Sequence, residues 1–129
     1  MQILGLDYGD KKIGLAYASA FLAEPLMVVR FERVDELFEK IKKIVTDYKI
    51  EKIVVGVSEG ASAEKSMEFG YLLKDKLNLE VNFQDETLST EEANMLSREA
   101  NVSRSRRKSL EDAYAATIIL QNYLDKILK

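Results

Sequence analysis

Four carboxylates stand where the chain could do chemistry with them. Asp7 closes the apolar run Ile3-Leu4-Gly5-Leu6, Asp85 and Glu86 close a run holding Val81 and Phe83, and Asp112 opens the last stretch of the chain. A charge at the end of a buried strand is costly unless it is paired or bound to a cation. The chain has no histidine and no cysteine. That excludes Ser-His-Asp catalysis, imidazole bases, thiolate nucleophiles and metals held by either residue. Carboxylates gathered without them suit hard divalent cations, Mg²⁺ or Mn²⁺, which take oxygen ligands and keep several waters. Two such ions about 4 Å apart can activate a water and stabilise the leaving oxygen of a phosphodiester.

Each acid also has a plainer reading. Asp7 can open an Asx-turn with Gly9, and Asp85 and Glu86 can favour the dipole of a helix that follows them. Asp112 can satisfy the amide of Ser109 in a capping box. Asp85 shares strand parity with Val81 and Phe83 while Glu86 has the opposite parity; at a strand end either can reach a site.

The elements that must position these acids follow from the pattern of apolar residues. Gln2–Asp7 and Lys12–Ala18, broken by Gly9-Asp10, read as a β-hairpin, and Leu26–Phe31 as a third strand of an antiparallel meander. Leu37, Phe38, Ile41, Ile44, Val45 and Tyr48 recur at helical spacing, with Asp35 placed as the cap. Lys52–Val57 reads as a strand buried on both faces, Ser62–Leu77 as a helix and Leu79–Gln84 as a fifth strand. Ser89-Thr90-Glu91-Glu92 is a capping box that starts a helix to Ala100, and a last helix runs from Ser109 to Leu128. The order predicts an α/β fold: one mixed five-stranded sheet, three strands antiparallel and then two parallel, flanked by helices. In such a sheet ligands bind beyond the carboxyl ends of the parallel strands. Asp7, the Gly56–Gly60 stretch and Asp85-Glu86 all fall on that edge. Asp112 shares a helical face with Ala116, Ile119 and Tyr123.

With 129 residues the chain is expected to form a single domain over 1–129. Its hydrophobic share of 47% and charged share of 32% are those of a globular domain. No run approaches the roughly 20 apolar residues of a membrane span, and no signal core is seen, so a cytoplasmic protein without a membrane partner is expected. The net charge of −3 is unevenly spread. Arg98, Arg104, Arg106, Arg107 and Lys108 face only Glu99 within their segment, a local +4 that leaves −7 elsewhere. With Lys11 in the first turn, these cations are the candidate phosphate contacts, a solvated charge run being the alternative.

The same residues resemble the YqgF (RuvX) family, RuvC-like proteins with an RNase H-like fold that are associated with Holliday junction resolution or with cleavage of pre-16S rRNA. The likeness covers essentially the whole chain. It is carried by Leu4-Gly5-Leu6-Asp7-Tyr8-Gly9-Asp10-Lys11-Lys12-Ile13-Gly14, by Val54-Val55-Gly56-Val57 with Gly60, by Asp85-Glu86-Thr87-Leu88-Ser89-Thr90-Glu91-Glu92, and by Asp112-Ala113-Tyr114-Ala115-Ala116 behind a basic segment. The resemblance implies a hydrolase: a metal-dependent nuclease with Asp7, Glu86 and Asp112 catalytic. It also implies one or two Mg²⁺ or Mn²⁺ ions held among Asp7, Asp85, Glu86 and Asp112. The implied partner is nucleic acid, either pre-rRNA processed at its 5′ end in ribosome biogenesis or branched DNA in recombination. Whether the chain acts as a monomer or a homodimer is left open.

Two positions depart from the family pattern: Ser58 stands where a proline is usual, and Thr87 where an arginine is usual. Losing that arginine removes charge-assisted contacts to a phosphate or to the acids. It keeps alive a reading as a non-catalytic nucleic-acid-binding module. Gly5-Leu6-Asp7-Tyr8-Gly9 is also similar to the phosphate loop of the actin, sugar kinase and heat-shock chaperone superfamily. Those proteins close two such domains on a nucleotide, and this chain supplies one.

Overall fold

Three antiparallel strands open the chain: β1 (Ile3–Tyr8), β2 (Lys12–Ala18) and β3 (Glu24–Arg30). They are followed by α1 (Val34–Asp47), β4 (Lys52–Val57), α2 (Ala61–Leu77), β5 (Glu80–Asp85) and the terminal helix α3 (Glu111–Ile127). The structure is a computed structural model that describes residues 1–57, 61–85 and 111–127; the helix expected over Ser89–Ala100 lies outside them. The sheet order is β3-β2-β1-β4-β5, with β1 antiparallel to β2, β2 antiparallel to β3, and β1, β4 and β5 parallel. This is the mixed sheet that the change from period-two to helical patterning predicts.

Strand alternation sorts the side chains into two apolar layers. Leu4, Leu6, Ile13, Leu15, Ile53 and Val55 pack with Leu37, Ile41 and Ile44 of α1 and with Phe69 and Leu73 of α2. Ile3, Ala16, Ala18 and Val54 leave the opposite face and pack with Ala116, Ile119, Leu120, Tyr123 and Leu124 of α3. The α3 side of β1 and β2 is made of small residues, and that lets the helix come close. A Cβ added to Gly5 would sit 2.8 Å from Leu120 Cβ, and one added to Gly14 would collide with the backbone carbonyl of Asp112.

Polar contacts fix where α3 lies along the sheet. Lys52 Nζ reaches the Tyr123 hydroxyl at 3.0 Å and Glu80 at 2.9 Å. The Gln121 amide donates to the Phe21 carbonyl at 3.0 Å and accepts from the Ala23 N–H at 2.8 Å, closing the β2–β3 turn onto the helix. Held at this end, α3 runs antiparallel to β1, and its first turn lands on Gly14.

Two boundaries differ from the sequence expectation. β3 begins at Glu24 rather than Leu26, because Pro25 occupies an edge strand, where a missing N–H leaves no ladder bond unmade. The register shifts there, Leu15 facing Met27 and Ala16 facing Pro25, so Leu26 forms a bulge. The residue before α1 is Arg33, and Asp35 sits inside the first turn instead of capping it. Glu36 reaches back to the Arg33 N–H at 3.3 Å, while the Arg33 guanidinium holds Asp35 at 2.9 Å.

Candidate active site

Asp7 belongs to the face of β1 that carries Ile3 and Gly5, so its side chain leaves the sheet toward α3. Its cross-strand partner is Gly14. Asp112, the second residue of α3, rests its backbone on that glycine, and the helix face it leads continues through Ala116, Ile119 and Tyr123 in the buried layer. The two acids, 105 positions apart in a chain of 129, are thereby brought to one cleft. The cleft has a volume of about 520 Å³ and is lined by Asp7, Tyr8, Gly9, Asp10, Lys11, Lys12, Arg30 and Asp112.

Its charges are only partly paired. Lys12 Nζ lies 2.9 Å from Asp112 Oδ2, with both side chains partly exposed. Asp10 pairs with Lys65 of α2 at 3.1 Å. Lys11 and Arg30 line the same cleft with no carboxylate partner among the described residues. Below them Tyr8 stacks between Phe69, at 4.7 Å between ring centroids, and Phe31, at 6.0 Å. Burial in this stack pushes the Tyr8 phenol above its ordinary pKa, and the neighbouring Asp10 carboxylate pushes the same way. The aromatic stack is the rigid floor under the turn that carries Asp10 and Lys11.

The other acids expected at this edge, Asp85 and Glu86, belong to the end of β5 and the residue after it. Register places Val57 opposite Asp85, Gly56 opposite Gln84 and Val55 opposite Phe83. Asp85 has the parity of Val81 and Phe83, which pack with the α1–α2 layer, so it departs on the face away from Asp7. Gln84 departs on the face of Asp7, with Gly56, which has no side chain, on the strand between. Gln84 Oε1 is buried and has no hydrogen-bond partner among the described residues, an uncommon state for a buried acceptor. Glu86 lies outside the described residues, as do Arg98, Arg104, Arg106, Arg107 and Lys108.

The chemistry of this donor set fits a hard divalent cation. Asp7 and Asp112 are hard oxygen ligands, Gln84 offers an unused amide oxygen on the same face, and Mg²⁺ is ordinarily held by one or two carboxylates with waters and substrate phosphate. Among the described residues no three acids stand close enough to form a metal-binding group, so a complete set would draw on more than these. A cation already touches one of these carboxylates: the Lys12 ammonium at Asp112.

Of the residues expected from sequence, Asp7, Asp112 and Lys11 line the cleft, and Asp85 stands on the other side of the sheet. Lys12, Arg30 and Gln84 were not anticipated. Lys12 and Arg30 face one another across the β2–β3 ladder, a register that 17 intervening positions and a bulge keep out of view in the sequence. The signal for Gln84 was present, since it alternates with the apolar Val81 and Phe83.

Comparison with known proteins agrees with this fold. The RuvX family, described as Holliday junction resolvase, matches residues 1–126. A Clostridium botulinum protein of strain Eklund 17B, named "Putative pre-16S rRNA nuclease", is 42% identical over 137 aligned positions covering 100% of both chains. A homologue of the same name from strain Hall is 41% identical, again over the full length of both. Among solved structures, Thermus thermophilus RuvC in complex with a Holliday junction substrate superposes with a TM-score of 0.69 at 16% identity, covering 99% of this chain and 96% of that one. The Fowlpox virus resolvase, bound to Holliday junction DNA, gives 0.70 at 12% identity over 100% of both. These two establish the shared RNase H-like fold. Among the described residues no helix is long and apolar enough to cross a membrane.

Proposed function

The chain belongs to the RuvX family, and from that premise we propose that it is a divalent-metal-dependent endonuclease that hydrolyses phosphodiester bonds in structured RNA, trimming the 5′ end of pre-16S rRNA. The observation that carries the reading is the convergence of Asp7 and Asp112 on one cleft whose other wall is cationic. The names of the full-length relatives support the choice of rRNA over DNA.

In this reading Asp7, Glu86 and Asp112 are the catalytic carboxylates, and Gln84 adds a neutral oxygen beside them. Bound Mg²⁺ or Mn²⁺ supplies an activated water and neutralises charge on the leaving oxygen. The protein's own part is to hold Asp7 and Asp112 at fixed separation by packing α3 on Gly14. It also keeps Lys12 at hand for the charge of Asp112, and sets the β1–β2 turn rigidly on the Tyr8 stack. Arg98, Arg104, Arg106, Arg107 and Lys108 would grip phosphates without reading sequence.

The test is cleavage of a labelled pre-16S leader RNA and of a four-way DNA junction, each with Mn²⁺, Mg²⁺ or EDTA, beside the Asp7→Asn protein. Cutting of the RNA that needs metal and is lost in the variant is the expected result. Preferential cutting of the junction would move the assignment to DNA resolution. Binding of either substrate without cutting, unchanged by EDTA, would overturn the enzymatic reading in favour of a binding module, with Thr87 the departure to examine.

A further inference from the structure

The cleft has a charge asymmetry that the carboxylate chemistry does not use. The cations of its wall lie on β2, β3 and the β1–β2 turn, and they differ in what they already hold. Lys12 is engaged with Asp112 at 2.9 Å. Other cations near the strand ends and helix starts are likewise matched, Lys65 with Asp10, Arg33 with Asp35 and Lys52 with Glu80. Arg30 has no carboxylate partner among the described residues, although the chain as a whole carries −3.

Arg30 is also well fixed at its base. It faces Lys12 directly in the β2–β3 ladder. Its neighbours Val29 and Phe31 are buried, 8% and 7% exposed, in the layer beneath α1 and α2. The Phe31 N–H donates to the Lys11 carbonyl at 2.9 Å, locking the end of β3 to the turn. With both neighbours anchored on one face, Arg30 must leave on the other, the face of Asp7 and Asp112. β3 is the edge of the sheet, so a chain entering the cleft can continue past Arg30 without meeting another strand. Two strand spacings separate β1 from β3, about 10 Å, a gap that the length of an arginine side chain largely spans.

A guanidinium without a carboxylate, aimed into an open cleft beside a metal-type carboxylate pair, matches one ligand chemistry well: a phosphodiester, which it can meet with two parallel N–H donors. We propose that Arg30 is a phosphate-binding residue of this site, gripping a phosphodiester next to the one cleaved, with Lys11 beside it. The substrate strand then runs from the Asp7–Asp112 pair across β2 and out over the β3 edge. The inference rests on the nuclease reading above and adds a residue and a strand path to it. Arg30 acts as a positioning residue: it orders the strand and takes no part in water activation.

The test compares wild-type protein with Arg30→Gln and Arg30→Lys. Binding of the pre-16S leader RNA and of the four-way DNA junction is measured in EDTA across a salt series, and cleavage kinetics are measured with Mn²⁺. Loss of one charge-assisted phosphate contact should weaken binding of the preferred substrate about tenfold for Arg30→Gln, with the salt slope smaller by about 1. Arg30→Lys should recover the slope but only part of the affinity, because an ammonium keeps the charge and loses the fork. KM should rise with kcat nearly unchanged. A single uncharged methylphosphonate linkage placed beside the cut should cost wild type the same factor and cost Arg30→Gln almost nothing. Equal affinity, slope and KM in wild type and Arg30→Gln, with wild type cutting normally, would overturn the phosphate subsite and leave the nuclease reading standing. A wild-type protein that binds neither nucleic acid would overturn both. Which substrate carries the Arg30 effect tells whether the strand is RNA or DNA.

Discussion

The backbone carbonyl of Asp112 occupies the space that a Cβ on Gly14 would fill. Gly14 is in turn the cross-strand partner of Asp7, so the missing side chain is what lets the terminal helix bring its acid down to the level of the first strand's acid. The Gly14→Ala protein must move α3 away from β2. Overpacking of this kind costs about 1–3 kcal/mol, occasionally more, and here the obstacle is backbone, which yields less readily than a side chain. We expect an unfolding free energy, read from urea titration, lowered by that amount, and cleavage reduced more than stability alone would explain, since the Lys12–Asp112 contact moves with the helix. A variant of full stability and full activity would show that α3 is placed by something other than this close approach.

Asp7→Asn should separate function from fold. The side chain is half-buried at a strand end and the amide keeps its shape, so the unfolding free energy in urea should change by no more than about 1 kcal/mol. Cleavage should fall by at least a hundredfold, because the amide loses the charge that a hard cation requires of its ligand. Residual cutting near the wild-type rate would remove Asp7 from the site.

The sequence already contained the sheet, because period-two and period-3.6 patterns change at clear points and because Ile53-Val54-Val55 reads as a strand covered on both sides. It contained Asp7 and Asp112 as acids of unusual placement, on local grounds that left each open to a capping or turn role. What joined them was Gly14, whose reason for being glycine is a contact with a helix nearly a hundred residues later. Arg30 was invisible for a related reason: its position opposite Lys12 depends on a bulge at Leu26 and on Phe31 closing onto Lys11, neither of which has a local signature. Asp85 is a different case: its parity with Val81 and Phe83 was legible in the sequence, but at a strand end parity left either acid able to reach the site, and the observed register keeps Asp85 on the face of Phe83.

Lys12 touches Asp112, a carboxylate that the proposed reading assigns to the metal. Replacing it by methionine removes a half-exposed ion pair worth about 0–1 kcal/mol, so stability in EDTA should change little. The Asp112 carboxylate is then left without its resident cation, and Mn²⁺ should bind more tightly, by up to about fivefold if the pair's energy is the competing term. Titration calorimetry, or Mn²⁺ spin resonance on protein without nucleic acid, reads this directly. Unchanged or weaker Mn²⁺ affinity would mean that Lys12 supports the metal-binding arrangement instead of competing with it.

Tyr8 gives the fold a pH dependence at the alkaline end. Burial and Asp10 raise its phenol pKa in the folded chain, so on a rising pH scale the unfolded chain releases this proton first. The associated stability is present below pH 10, the ordinary tyrosine value, and is lost as pH climbs through the higher folded value. Urea midpoints measured from pH 8 to 11 should therefore fall more steeply for wild type than for Tyr8→Phe. Parallel curves would show that the ring stack with Phe31 and Phe69 does not hold the phenol out of water.

The register of β5 places Asp85 and Gln84 on opposite faces of the sheet. Asp85 pairs with Val57 and follows the parity of Phe83, toward the α1–α2 layer; Gln84 takes the face of Asp7. A carboxylate on the far side of a sheet cannot share a cation with Asp7, so Asp85→Asn should cleave within about threefold of wild type, the margin left by a surface substitution. In the proposed reading Glu86 carries the role, so Glu86→Gln should abolish cleavage as Asp7→Asn does, with a matching loss of Mn²⁺ affinity. Gln84→Leu tests the same face without altering charge. It removes a buried acceptor that lacks a partner, so it should be neutral or stabilising in EDTA, yet weaken Mn²⁺ binding if its oxygen completes the site. The result that would sink this assignment is an inactive Asp85→Asn beside an active Glu86→Gln, which would require the end of β5 to turn its acids the other way about when metal and substrate are bound.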